Sequence, residues 1–223
     1  MGFAPTSTNL FNNVNDGEAP QLSSTYAEYD DGANVFTNYW NFAGTSLPSG
    51  WTADTLTVSV DNGITITGAA GGFLYYSATE YSGNIVVDDY YKIITQASSN
   101  GYGEGAVGIT TGTSWPADFS VSRTQYNGAG SPYLGYIILG SSVTTTSTGV
   151  STGFKVMSYM GSSLGMEFLH DYSSFETTTS ALPSSYYLVG ANFDGGSGFL
   201  QWLRIRAYPP NDVMPSVSFG SVS

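Results

Sequence analysis

Short runs in which apolar and polar residues alternate, broken by Gly, Asn and Ser, organise this chain from residue 56 onward. Leu56-Thr57-Val58-Ser59-Val60 alternates, Asp61-Asn62-Gly63 turns, and Ile64-Thr65-Ile66-Thr67-Gly68 alternates back. Asn-Gly between two such runs is a strong local signal for a β-hairpin. Phe73-Leu74-Tyr75-Tyr76 reads as a third strand and residues 84–94 as a fourth. Further strands are predicted over 105–110, 119–124, 133–139, 153–160, 164–169, 186–193 and 199–208. Val35-Phe36 and Tyr39-Trp40 suggest a first strand, or a tight helical turn feeding one. Residues 141–152, SSVTTTSTGVST, have the lowest complexity and read as a loop. No window sustains a helical period. Many short strands at fairly regular spacing predict an all-β sandwich or jelly roll.

The pattern also divides the chain. Residues 1–27 are rich in Asn, Pro, Ser and Thr with isolated apolar anchors, and read as an extended arm or the tail of an upstream domain. Residues 28–208 form the predicted jelly-roll domain, and 209–223, opening with Pro209-Pro210, a terminal strand or linker. The closing strand is Gln201-Trp202-Leu203-Arg204-Ile205-Arg206-Ala207-Tyr208. Side chains alternate across a strand, so Trp202, Arg204, Arg206 and Tyr208 share one face and Leu203, Ile205 and Ala207 the face to bury.

Charge narrows the partners. Lys and Arg total 5 against 17 Asp and Glu, a net charge of −12. Such a chain repels nucleic-acid phosphates and anionic lipid, so neither is an expected partner. Almost no Lys and few carboxylates leave little charge to gain as pH falls, which predicts blunted acid unfolding. With 0 Cys, disulfides, Cys-ligated zinc and thiol nucleophiles are excluded. No leader and no apolar run long enough to span a bilayer is read, and no Asn-x-Ser/Thr acceptor occurs. Met1-Gly2 opening straight into a loop-like stretch reads as a fragment of a longer secreted protein.

Three stretches together resemble concanavalin A-like (LamG-like) jelly-roll domains that follow a domain of unknown function in archaeal and bacterial surface proteins. The first is Gly17 to Leu22 through Tyr29-Asp30-Asp31-Gly32-Ala33-Asn34-Val35-Phe36, similar to the join between the two domains. The second is Phe42-Ala43-Gly44-Thr45-Ser46-Leu47, then Trp51, then Val58 to Ile66. The third is Gln201 to Tyr208, similar to the family's closing strand. The resemblance implies an exported module, extracellular or at the cell surface, that binds sugar or packs in an assembly. The middle departs from the pattern: Phe154 to Phe168 is the nearest match to the family's last hairpin, with His170-Asp171-Tyr172 where its turn would fall.

Candidate sites follow from what each chemistry needs. Glycoside hydrolysis takes two carboxyl groups flanking one bond, about 5–5.5 Å apart for retention or about 6.5–9.5 Å for inversion. Jelly-roll glucanases present such acids at alternating positions of one strand, and this chain lacks that acid–x–acid–x–acid run. The nearest pair, Glu167 and Asp171, would lie about 13 Å apart on an unbroken strand. His170 is the only histidine and has no Gly-x-Ser-x-Gly elbow to partner. Asp30, Asp31 and Asn34 offer oxygen ligands for a structural Ca²⁺, or an Asx-type turn. Asp88-Asp89 and Asp194 are weaker positions for the same ion. Sugar rings stack on aromatic faces while their hydroxyls find polar side chains. The loop-borne aromatics Trp115, Tyr102, Tyr126 and Tyr133 fit that use, as do Trp202 and Arg204 on the closing strand. Arg204 and Arg206 equally suit structural pairing with acidic neighbours.

These features favour a non-catalytic carbohydrate-binding or adhesion module whose partner is a polysaccharide or surface glycan. A structural subunit of a surface filament or envelope layer, self-assembling through its terminal segments, is the second reading. A glycoside hydrolase or lyase built on Glu167 and Asp171 is the third.

Overall fold

The computed structural model of the chain describes residues 36, 38–95, 105–113, 119–125, 133–139, 141–193 and 195–209. Among them are thirteen strands and no helix. These are β1 (Asn38–Trp40), β2 (Trp51–Val60), β3 (Ile64–Tyr81), β4 (Ile85–Thr95), β5 (Gly105–Thr110), β6 (Phe119–Gln125) and β7 (Tyr133–Ile138). They continue with β8 (Ser141–Gly149), β9 (Lys155–Gly161), β10 (Met166–His170), β11 (Ser173–Thr178), β12 (Tyr186–Phe193) and β13 (Ser197–Arg206).

Every pairing is antiparallel, in the order β11-β10-β9-β4-β13-β3-β12-β5-β6-β7-β8, with β1 added to β13 and β2 to β3. The ladder folds over so that β5 and β6 lie across from β4, β9 and β10. The result is a jelly-roll sandwich of two antiparallel layers. One layer is β11-β10-β9-β4-β13-β1 and the other β2-β3-β12-β5-β6-β7-β8. They are stitched where Ser197–Leu200 of β13 pairs with Ile64–Thr67 of β3.

Burial explains why each run forms the strand it does. β2 has a polar-out alternation and pairs on one side only, with β3. β4 and β9 are buried on both faces along nearly their whole lengths, so apolar residues fall on both faces and Asp88, Asp89, Lys155 and Ser158 are buried among them. Between the layers sit Phe42, Ile64, Leu74, Val87, Met157, Tyr159, Phe168, Leu188 and Leu203. Tyr136 and Phe168 stack across the sandwich at 4.7 Å between ring centroids. The Asp61-Asn62-Gly63 turn forms as predicted, with Asn62 and Gly63 at positive φ (49° and 134°), and the Phe199 ring lies against Gly63. Gly105 is required by the Tyr91 ring, which occupies the space a Cβ would need.

Four points of the sequence reading need correction. Residues 141–149 are strand β8 rather than loop: Ser, Thr and Val suit an extended chain whatever the complexity, and β7 supplies the pairing edge. Phe73–Tyr76 is not a separate strand but part of the 18-residue β3, which runs through Gly68–Gly72 with a pairing irregularity opposite Asp54/Leu56. β11 was not predicted at all; its polar Ser-Ser-Phe-Glu-Thr-Thr fully buries neither face, so it carries no clean alternation, and it pairs with β10 alone. The closing strand stops at Arg206, and Ala207, expected to be buried, is exposed.

Candidate functional site

The outward face of the β4–β13–β9 layer gathers most of the chain's cations. Antiparallel register sets Arg204 directly opposite Asp88, with Arg206 one strand repeat away on the same face. Both Nε atoms donate to Asp88 Oδ2, at 2.9 Å from Arg204 and 2.7 Å from Arg206. Asp88 is wholly buried, and a carboxylate there is tolerated only because charged donors replace its water. A terminal nitrogen of Arg204 also donates to the Tyr172 hydroxyl at 3.2 Å. Its guanidinium lies over the rings of Phe36 (4.5 Å) and Trp202 (5.0 Å).

Next to this charge network stands a row of rings. Trp202 faces Tyr90 across the β13–β4 ladder, and Tyr90 faces Val156 across β4–β9. Strand spacing of about 4.8 Å then stacks their side chains. Phe154 lies 4.7 Å from Tyr90, and Tyr90 5.6 Å from Trp202, each pair 17° from parallel. Burial raises the Tyr90 hydroxyl pKa, with the Asp171 charge adding to it. Lys92 closes the row: its Nζ lies 4.8 Å from the Phe154 centroid and 5.5 Å from that of Phe199.

The β10–β11 turn borders this face. Asp171 and Tyr172 both have positive φ, 47° and 61°. Left-handed backbone costs a non-glycine residue roughly 1–2 kcal/mol, so other contacts must hold it. Asp171 N–H donates to the Val156 carbonyl at 2.8 Å, Val156 N–H donates to Asp171 Oδ1 at 2.9 Å, and Tyr172 is tied to Arg204. His170 Nδ1 sits 3.6 Å from Asp171 Oδ2. Burial lowers the imidazole pKa; the Asp171 charge opposes that and Lys155 adds to it.

A second polar group lies inside the sandwich. Asp89 points into the core, where burial holds its carboxyl well above the usual range. The Met157 N–H, 3.3 Å from Oδ1, works against that shift, the Asp88 charge adds to it, and Lys155 opposes it. Tyr91 donates to Thr124 Oγ1 at 2.6 Å across the layers, and Lys155 lies over the Tyr91 ring. A cavity about one water in size is lined by Asp89, Tyr91, Ile66 and Leu200.

The residues singled out by sequence scatter across this frame. Trp202 and Arg204 come together on the outward face, where both are largely buried. Glu167 is half-buried on β10. The strand ends at His170, so Asp171 sits in the turn and no longer shares one alternating strand with Glu167. Tyr133 opens β7 opposite Gln125, and its side chain lies outside what is described. Trp115, Tyr102, Tyr126, Asp30, Asp31, Asn34 and Asp194 lie outside the described residues. Asp88 and Asp89 face opposite sides of β4 and so do not converge on one cation. Among the described residues no group of three or more His, Asp or Glu gathers as a metal site. Sequence reasoning did not single out Lys92, Phe154 or Tyr90; the alternation of β4 placed Tyr90 and Lys92 with Asp88, but nothing local said that Phe154 would reach them.

No protein-family profile matches the chain. An uncharacterized protein, protein 562, of Sulfolobus islandicus rod-shaped virus 1 is 26% identical over 232 residues, covering 90% of this chain. The chain spans 41% of that relative's length. Among solved structures, the carbohydrate recognition domain of Emp47p is similar with a TM-score of 0.58 at 12% identity, covering 78% of this chain and 97% of that one. A β-1,3-glucanase from Mycobacterium marinum gives 0.56 at 13%, covering 78% and 99%. The catalytic domain of an endo-1,3-β-glucanase (laminarinase) from Thermotoga petrophila gives 0.56 at 9%, covering 76% and 96%. At these identities the likeness is one of architecture, and it establishes that the chain has the concanavalin A-like jelly-roll fold, which carbohydrate-recognition domains and β-glucanases share.

Proposed function

We propose that this chain is a carbohydrate-binding module of an extracellular or surface protein, and that it binds glycan without cleaving it. What carries the reading is the use made of the carboxylates on β4 and on the β10–β11 hairpin. Hydrolysis needs a free pair flanking one bond. Among the described residues, Asp88 is held by two arginines and Asp89 is enclosed in the core. Asp171 holds the Val156 amide. Glu167 and Glu176 lie on adjacent strands, but Glu176 is registered opposite Phe168, the neighbour of Glu167 on the alternate face. The fold's kinship with a carbohydrate recognition domain supports the same reading, while its kinship with glucanases keeps hydrolysis as the alternative.

The test is a panel of soluble and insoluble polysaccharides near pH 4–5 and near pH 7, with each sample divided between bound protein and released reducing ends. Retention without new reducing ends is the expected result. Release of reducing ends that is lost in Glu167→Gln would replace the reading with a hydrolase. A panel with neither binding nor release would transfer the weight to a structural subunit, which concentration-dependent polymers in light scattering would then reveal.

A further inference from the structure

We propose that Lys92, set between the rings of Phe154 and Phe199, is the anchor of a subsite for an acidic sugar. This rests on the carbohydrate-binding reading above and names the chemical class of one ligand residue.

The argument begins with where the five cations go. Arg204 and Arg206 are taken by Asp88. Lys155 is buried and donates to the Gly153 carbonyl at 2.8 Å. Arg123 is buried on β6. Lys92 differs from all four. It is only half-buried, and among the described residues its ammonium meets ring faces but no carboxylate and no hydrogen-bond acceptor. An ammonium has three donors, and ring faces satisfy its charge in part but not its hydrogen bonds. Among the described residues nothing supplies those acceptors, so a ligand can.

The surroundings select among possible acceptors. Phe199 is registered directly opposite Lys92, and Phe154 stands edge-to-face with Phe199 at 6.1 Å, both half-buried. An ammonium flanked by two ring surfaces suits a ligand with an apolar C–H face and an anionic edge, which is the make-up of a hexuronate. The exposed Asp61-Asn62 turn adjoins, because the Phe199 ring rests on Gly63. Its side chains, joined Nδ2 to Oδ1 at 3.2 Å, offer amide and carboxylate to sugar hydroxyls. In a chain of net charge −12, the anion is drawn by this local cation and not by the overall field.

The experiment titrates the full chain with tetragalacturonate and, separately, with its methyl ester, by calorimetry. Wild type, Lys92→Met and Lys92→Arg are compared, after matched circular dichroism and melting curves establish that each is folded. Tetragalacturonate should bind on the order of tenfold more tightly than the ester, the scale of one charge-assisted contact. Lys92→Met should erase that preference and Lys92→Arg should keep most of it. Equal binding of acid and ester, or a preference that survives Lys92→Met, overturns the subsite and leaves the module reading standing. If neither compound binds and the neutral panel also fails, both fall together.

Discussion

Two adjacent aspartates on β4 meet opposite fates because a strand sends successive side chains to opposite faces. Asp88, outward, stays with two arginines; removing it would take the shared charged acceptor from two guanidinium groups in a desolvated layer. Asp88→Ala should therefore lower unfolding free energy by about 3–5 kcal/mol, read as a fall in the urea midpoint. A loss within ordinary surface scatter would mean the pair is solvated after all. Asp89, inward, has a folded pKa raised above its unfolded value by burial. A carboxyl of this kind contributes stability in full below the unfolded value, near pH 4, and loses it as pH rises through the folded pKa. His170 has the other sign: its folded pKa is lowered, so its contribution is complete above about pH 6.5 and is lost as pH falls from there toward the folded value. Asp89→Asn should thus raise the melting temperature at pH 7 and flatten its dependence between pH 7 and 4. Should wild type gain nothing on that mutant as pH falls, the core carboxyl is not neutral in the fold. The blunted acid unfolding expected from composition has a local counterpart here that composition did not reveal.

At the scale of elements, period-two alternation found strands well where one face meets solvent or where a glycine turn marks an end. The β2–β3 hairpin was legible for both reasons. β8 and β11 were not, because edge strands of Ser and Thr owe their shape to a neighbour's free hydrogen-bonding groups and leave no apolar signature. Nor was the length of β3 legible, since Gly68–Gly72 reads as a break and becomes a passage through a pairing irregularity. Close approach between layers is equally silent in sequence. Gly105 is one such point: Gly105→Ala should cost about 1–3 kcal/mol by crowding a Tyr91 ring already fixed to Thr124. Trimming that ring in the double variant with Tyr91→Leu should recover part of the loss in denaturant titrations, whereas additive losses would place the strain elsewhere.

For the molecule as a whole, the candidate site was half legible. The shared face of Trp202, Arg204 and Arg206 follows from alternation alone, and so does the lack of an acid triad on one strand. The partners of those residues do not, because Asp88, Tyr90, Phe154 and Tyr172 arrive from strands and turns far away in sequence. The position of β13 has a further consequence. It pairs with β4 along one edge and with β3 and β1 along the other, although it is the last strand in chain order among those described. During synthesis, the slot between β4 and β3 stays vacant until residues 197–206 have left the ribosome. Until then two strand edges that will become interior remain open to any extended chain nearby. The same strand that bears the arginines is the latch of the folding reaction, so the nascent chain is most exposed to mispairing in the interval just before its chemistry arrives.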